Sequence, residues 1–324
     1  MAAVSLTVSG ALLFVAIYAA LALFMPVARG GEVGVCVPNG TNYRQALALF
    51  RKGGVINTEM PLVLLARWKG FGRHVKPGLY KIPKDASPLD VFERIRQGMA
   101  ESAKLRVPEG FTIDDIAARV EKLGLVTHEK FLRIARDPAS PRRFGIDAPS
   151  LEGFLFPDTY TVPVCSEPDD IIGLMVSRFK TVAGGEIGRL ASRAGLSMLQ
   201  AMTLASIVEK EARVDSERSV IAGVYMNRIR KSMRLEADPT INYGMKPSGS
   251  PIMKSDIRRP TPYNTYVIFG LPPGPIANPG MASIRAALSP AGTEYLYFMA
   301  KGDGTHQFSK NYRDHLKAVK RYGN

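Results

Sequence analysis

The chain has 324 residues, 46% hydrophobic and 22% charged. That is ordinary globular composition, which argues against disorder, collagen and multi-span membrane classes and predicts about two domains. Lys and Arg number 43 against 29 Asp and Glu, a net charge of +14, which suits either an anionic partner or a basic solvated surface. With only two cysteines, Cys36 and Cys165, and four histidines outside any H-E-x-x-H pair, a disulfide-rich scaffold, a four-cysteine zinc site and a metal enzyme are not expected.

No charged residue precedes Arg29, and Val4 to Val27 is a run of apolar and small polar residues. About 20 such residues in a helix span a bilayer. A signal peptide normally has a basic start and a shorter apolar core, so residues 1–28 are read as an uncleaved single-pass transmembrane anchor. Ala19-Ala20-Leu21-Ala22 keeps a cleaved signal peptide as the competitor. Arg29 is the one nearby basic residue and argues weakly for the opposite topology. In an oxidising compartment Cys36 and Cys165 could pair, although spacing does not establish the pair.

Gly30-Gly31 and Pro38-Asn39-Gly40 separate the anchor from a folded region. Residues 43–52 and 61–69 read as short helices, the first ending at Gly53-Gly54. Leu79 to Ile82 alternates like a strand, and Ser87-Pro88 opens a helix with Val91, Ile95 and Met99 along one face. The pattern recurs loosely: Leu105 to Pro108 is strand-like, and Thr112 caps a helix bearing Ile113, Ile116, Ala117 and Val120. Strand-then-capped-helix units resemble LysM-like glycan-binding modules, and a generic α+β spacer has the same pattern. Residues 127–182 are mixed. The aromatic run 151–160 (LEGFLFPDTY) reads as a groove lining or, more commonly, a buried aromatic corner.

Residues 197–214 (SMLQAMTLASIVEKEARV) contain no Gly or Pro and predict a helix. At about 100° per residue, Leu204, Ile207 and Val208 share a face, and Glu211 projects from the same stripe. Glu209 points the other way and reads as a surface residue. A carboxylate on a core-facing stripe is costly unless paired or protonated. Burial raises a carboxyl pKa, and a raised pKa is what a general acid needs near neutrality. Glu211 is therefore a candidate acid; the competing reading is a buried Glu paired with Arg213 or Arg218. Asp215 to Arg218 reads as a cap and restart before a helix over 219–230. Beyond it lie proline-stiffened loops rich in Asn, Thr, Tyr and Asp, suited to a cleft that hydrogen-bonds sugars or simply to rigid connections.

The order ASIVEKEA, SER, N-R-x-x-x-x-M-R-L, ADPTINYG, YNTY, GLPPGPIANPG, YLYF and THQFSKN resembles the YceG-like endolytic murein transglycosylases over roughly residues 105–324. The resemblance implies an α+β protein: the anchor (1–28), a small LysM-like domain (30–104) and a larger YceG-like catalytic domain (105–324). It implies a lytic transglycosylase without cofactors, held in the cell (inner) membrane with its catalytic domain on the extracytoplasmic, periplasmic side. The substrate would be peptidoglycan, cut inside nascent glycan strands in cooperation with wall synthases. The second acid of the E-K-E triplet, Glu211, would be catalytic. Asp238, Thr240, Asn264, Tyr266 and His306 are candidates for holding glycan, and Glu217 either orients the site or caps the next helix. The missing basic residues before the apolar stretch depart from the usual layout.

Three other functions compete. A non-catalytic wall-binding protein would use the same LysM-like module. A two-carboxylate muramidase would recruit Asp215, Glu217 or Asp238 beside Glu211. Nucleic-acid binding would account for the charge, but Lys/Arg runs and a nucleic-acid motif are missing, so no nucleic-acid partner is expected.

Overall fold

The computed structural model describes residues 13, 14, 17–27, 30–72, 74–247 and 249–323, the side chains of 183–186 excepted. Much of the expected anchor (residues 1–12, 15, 16 and 28) lies outside the described residues. Residues 17–24 are helical, with Ile17, Tyr18, Leu21 and Phe24 exposed. Among the described residues no helix is long and apolar enough to cross a membrane.

The fold is α+β: short antiparallel or paired strands in three two-stranded sheets, with helices making most of the framework. It divides into two compact units, residues up to Lys104 with Thr161–Asp170, and Leu105–Tyr160 with Ile171 onward. Of the two strand-then-capped-helix segments, the first falls in the first unit and the second, from Leu105, in the second.

In the first unit β1 (Val33–Val37) pairs antiparallel with β2 (Gly78–Ile82). Alternation turns Val35 and Val37 inward and Cys36 outward, where Cys36 is disulfide-bonded to Cys165 with a Cα–Cα distance of 5.9 Å. Helices α1 (Tyr43–Lys52), α2 (Met60–Trp68) and α3 (Pro88–Arg96) complete this unit. Asn42 and Ser87 close reciprocal capping boxes with Gln45 and Asp90, satisfying amide donors that a helix start leaves orphaned. The α3 helix stops at Arg96 rather than reaching Met99, because Gly98 turns the chain at φ +63. Met99 is consequently exposed. The core comprises Val35, Val37, Phe50, Tyr80, Ile82, Phe92 and their neighbours, and Leu23 of the N-terminal segment packs against it.

Strand β3 (Ser102–Arg106) pairs with β4 (Thr159–Pro163). The second unit then holds α4 (Ile113–Lys122) against α5 (His128–Ala135). Part of the stretch read as mixed is one long helix, α6 (Pro168–Arg193). Its composition hides it, since Gly173, Gly184, Gly185 and Gly188 lower helix propensity and tertiary packing overrides that. The predicted helix at 197–214 is α7 (Met198–Glu211), opened by a Ser197–Gln200 capping box. It packs against α8 (Arg218–Arg230) and α9 (Met281–Leu288). Every residue from Ala201 to Val208 is buried, so α7 is a central helix with no water-facing side. Gly223 lets the chain beyond α9 cross α8 closely; a Cβ there would come within 2.6 Å of the Ala291 carbonyl oxygen. A hairpin of β5 (Tyr297–Ala300) and β6 (His306–Ser309), with α10 (Tyr312–Tyr322) packed on it, ends the unit.

Candidate active site

Glu211 is the last helical residue of α7, and Ala212 is extended at φ −71 and ψ 126. That end of a helix carries partial negative charge, which disfavours a carboxylate. The surroundings act in the same direction: burial, aided by the negative charge of Asp238, lifts the Glu211 carboxyl to about 7, against the opposing pull of a hydrogen bond. The bond comes from Tyr225 of α8, whose hydroxyl donates to Glu211 Oε1 at 2.9 Å. No guanidinium bonds Glu211 among the described residues, so the ion-pair alternative does not hold for it.

The ion pair belongs to Glu209. Its expected surface position is overturned: the side chain is 6% exposed and meets Arg218 Nη1 at 3.3 Å. Its Oε2 accepts the Gly280 N–H at 3.0 Å. The cause is the central position of α7, packed by α8 and α9, which leaves no face for a solvated carboxylate. Arg218 also donates to Asp215 at 2.9 Å. Two glutamates two residues apart thus meet opposite environments, one a buried cation and the other a phenol in an apolar wall.

Glu211 opens onto a cavity of about 1100 Å³ within the second unit. Asp238, His306, Tyr243, Asn242 and Glu152 also line it, with cationic Lys210, Arg213, Arg136 and Lys246 around them. Of the predicted residues, the structure therefore gathers Glu211, Asp238 and His306 on one cavity. Tyr266 reaches Asp238 from behind, its hydroxyl donating to Asp238 Oδ1 at 2.6 Å.

Glu217 does not cap α8, since its side chain makes no capping bond. Instead it accepts the His306 backbone N–H at 3.0 Å and contacts His306 Nδ1 at 2.6 Å. This clamp fixes the ring and leaves Nε2 as its remaining polar atom. Thr240 and Asn264 do not line the cavity. Thr240 is fully buried and bonds the Thr265 hydroxyl at 2.9 Å. Asn264 Nδ2 donates to the carbonyls of Asp256, Ile257 and Arg259. Both spend their hydrogen-bonding capacity holding loops, because a buried polar group needs internal partners.

Among the cavity residues that the sequence reading did not single out, two stand out. Glu152 sits in the aromatic corner, fully buried, and burial raises its carboxyl to about 8. It accepts the Ile113 N–H at the start of α4, the Asn278 side-chain amide at 2.9 Å and the Tyr243 hydroxyl at 3.1 Å. Asn278 also ties the corner together, its Oδ1 accepting the Gly153 and Leu155 N–H groups at 2.9 Å. The signal was present: an acid inside LEGFLF is as anomalous as one inside SIVEKE. Asn242 is the second. Its Nδ2 donates to the Ser250 carbonyl at 3.0 Å, while its buried Oδ1 has no hydrogen-bond partner among the described residues. That oxygen is an acceptor suited to a ligand N–H.

Chemically, the site offers two carboxyls that hold a proton near neutrality, Glu211 and the internally hydrogen-bonded Glu152, on a polar, partly aromatic cavity with cations at its edge. Among the described residues no group of His, Cys, Asp and Glu could hold a metal ion.

The YceG-like family model matches residues 35–321. A Bacillus subtilis (strain 168) protein named endolytic murein transglycosylase is 29% identical over 321 residues, covering 93% of this chain and 88% of its own length. One of the same name from Streptococcus pneumoniae (serotype 2, strain D39) is 27% identical over 324 residues; the match covers 90% of this chain and 58% of that longer protein. The crystal structure of a putative YceG-like protein from Listeria monocytogenes superposes with a TM-score of 0.62 at 30% identity, covering 88% of this chain and 98% of that one.

Proposed function

The chain belongs to the YceG-like family, and from that membership and the Glu211 site we propose that it is a lytic transglycosylase, a carbon–oxygen lyase acting on peptidoglycan, as the names of its Bacillus and Streptococcus relatives suggest. The observation that carries the chemistry is Glu211: a carboxyl raised to about 7, held by Tyr225 on the wall of a sugar-sized cavity.

Glu211 as COOH protonates the oxygen bridging N-acetylmuramic acid to N-acetylglucosamine, and the β-1,4 bond breaks. The positive charge that develops on the muramyl ring is shielded by the ring's own acetamide. The resulting Glu211 carboxylate takes the proton from the carbon-6 hydroxyl, whose oxygen closes on the anomeric carbon. The product is a 1,6-anhydromuramyl end, and Glu211 returns to its starting state. Asp238 and the clamped His306 line the path for sugar hydroxyls. The cations beside the cavity suit lactyl and stem-peptide carboxylates.

The wider setting is part of the same proposal. The apolar stretch 4–27 anchors the chain in the cell membrane by a single pass, and the second unit works on the extracytoplasmic side. The Cys36–Cys165 disulfide supports that side, since disulfides persist in oxidising compartments. Residues 30–104 serve as a LysM-like glycan-binding module. Cuts within nascent strands end elongation and imply cooperation with peptidoglycan synthases.

Digestion of purified sacculi followed by mass analysis of the muropeptides tests the reading. The parent chain should release anhydromuramyl products and Glu211→Gln should not, while both bind sacculi. Anhydro products from the Gln variant would remove Glu211 from the role of acid. Products heavier by one water would identify a two-carboxylate muramidase instead, for which Asp238 is the residue best placed, since its charge acts on Glu211.

A further inference from the structure

Helix α2 is apolar on two opposite sides. Leu62 and Ala66, four residues apart, are buried in the core of the first unit. Met60, Leu64 and Trp68, also spaced by four, point away from it and are 60%, 58% and 80% exposed. The helix has no charged residue before Arg67. A helix that is hydrophobic all round is normally covered on every side, and three large side chains in one exposed stripe mark an interaction surface.

Three observations identify what covers it. The stripe ends in tryptophan beside Arg67 and Lys69, and Lys69 Nζ lies 5.3 Å from the Trp68 ring centroid. Tryptophan next to basic residues is the signature of a helix lying at a lipid headgroup layer. Residues 30–104 contain twelve Lys and Arg against six Asp and Glu, so this region is attracted to an anionic surface. Finally, Leu23 of the apolar N-terminal stretch packs on the same core that α2 covers, which ties the proposed anchor to this unit.

We propose that α2 is a second, interfacial membrane contact, with Met60, Leu64 and Trp68 inserted among the headgroups of an anionic phospholipid bilayer. The proposal rests on the reading of the N-terminal stretch as a membrane anchor. It adds that the first unit lies against the bilayer rather than swinging free on the anchor. One-sided insertion of an otherwise folded helix buries apolar side chains without disturbing Leu62 or Ala66.

Trp68 is the chain's single tryptophan, so its fluorescence reports this site alone. The full chain is reconstituted into vesicles of phosphatidylglycerol and phosphatidylcholine, floated on a density gradient, and read with lipids brominated near the glycerol end of the acyl chain. The expected result is flotation with a blue-shifted Trp68 emission, quenched by the brominated lipid and protected from aqueous iodide. The double variant Met60→Ser, Leu64→Glu should float equally but lose both the blue shift and the lipid quenching. Quenching that persists in this variant overturns the proposal. Flotation with Trp68 open to iodide also overturns it and leaves the anchor standing. Emission shielded from iodide but not quenched by the brominated lipid points to a protein covering the stripe, a second copy included, and overturns it as well. Failure to float removes the anchor reading, and the proposal with it.

Discussion

The hydroxyl of Tyr225 donates to Glu211 Oε1 at 2.9 Å, and this one bond restrains how far burial can raise the acid. Burial penalises the charged carboxylate, whereas a donor aimed at it stabilises the charge. The Tyr225 hydroxyl is itself held well above its usual range by burial and the adjoining carboxylate, so it stays a donor at all ordinary pH values. The site is thereby set near 7, where a carboxyl can give up a proton and recover it within one cycle.

Release of anhydro product should therefore fall as pH rises through about 7, where Glu211 loses the proton it must donate. In Tyr225→Phe the bond favouring the carboxylate is gone, and the alkaline limb should move upward by about one pH unit, given roughly 1.5 kcal/mol for a hydrogen bond to a charged group. Initial rates across a pH series measure the limb directly. A limb that stays in place shows that Tyr225 does not tune the acid.

Folding stability should carry the same signature. The folded-state pKa of Glu211 is raised from 4.5 to about 7 and that of Glu152 from 4.5 to about 8. Between about 4.5 and 8 the folded chain thus holds protons that the unfolded chain has released, and stability declines as pH climbs through that window. Glu211→Gln removes one of the two titrations. Relative to the parent it should gain roughly 1–2 kcal/mol at pH 8.5, allowing for the carboxyl's contact with water in the cavity, and almost nothing near pH 4.5. Denaturant melts at the two pH values make the comparison.

Arg218 neutralises Glu209 in a buried setting and also pairs with the solvent-exposed Asp215. Arg218→Met should cost about 3–5 kcal/mol, because it strands the Glu209 charge in the core. Adding Glu209→Gln should recover much of that loss. If the double variant is no more stable than the single one, the pair is not what makes Arg218 necessary.

These outcomes bear on how much could be read from the residues alone. Helix periodicity predicts α7 and singles out Glu211, but it treats the helix as amphipathic with one wet side. It therefore places Glu209 at the surface, whereas the Arg218 guanidinium, a possible partner for Glu211 on that pattern, belongs to Glu209. Which acid meets a cation is decided by α8 and α9 arriving from residues 218–230 and 281–288, and no local pattern encodes that. The capped helices at Ser87 and Thr112 were legible because a cap is a local bond, and the helix over 43–52 from its amphipathic pattern and its glycine end, with its Asn42 cap unread. Strands β1, β4, β5 and β6 were not; at four or five residues a strand shows too little alternation to stand out, and of the equally short β2 and β3 the first was matched and the second only at its end. Thr240 and Asn264 looked like sugar ligands because polar residues in stiff loops do either task. Only their carbonyl and hydroxyl partners reveal that they hold the loops together.

Loss of the Cys36–Cys165 bond should weaken the first unit. A cross-link closing a loop of 129 residues restricts the unfolded chain by an amount worth about 2–5 kcal/mol. A Cys36→Ser, Cys165→Ser variant, melted beside the parent with and without reductant, should show that difference, and reductant should affect only the parent.

The same bond also dictates timing. Residues 161–170 belong with a unit whose other residues end at Lys104, so an emerging polypeptide cannot finish its first folding module in order of synthesis. Fifty-six residues destined for the other module, 105–160, must be delivered first and wait, looped out, until the second thiol arrives. The growing chain therefore passes through a stage at which its leading third is exposed and incomplete, and that interval, rather than the finished molecule, is where foldases and proteases have their opportunity.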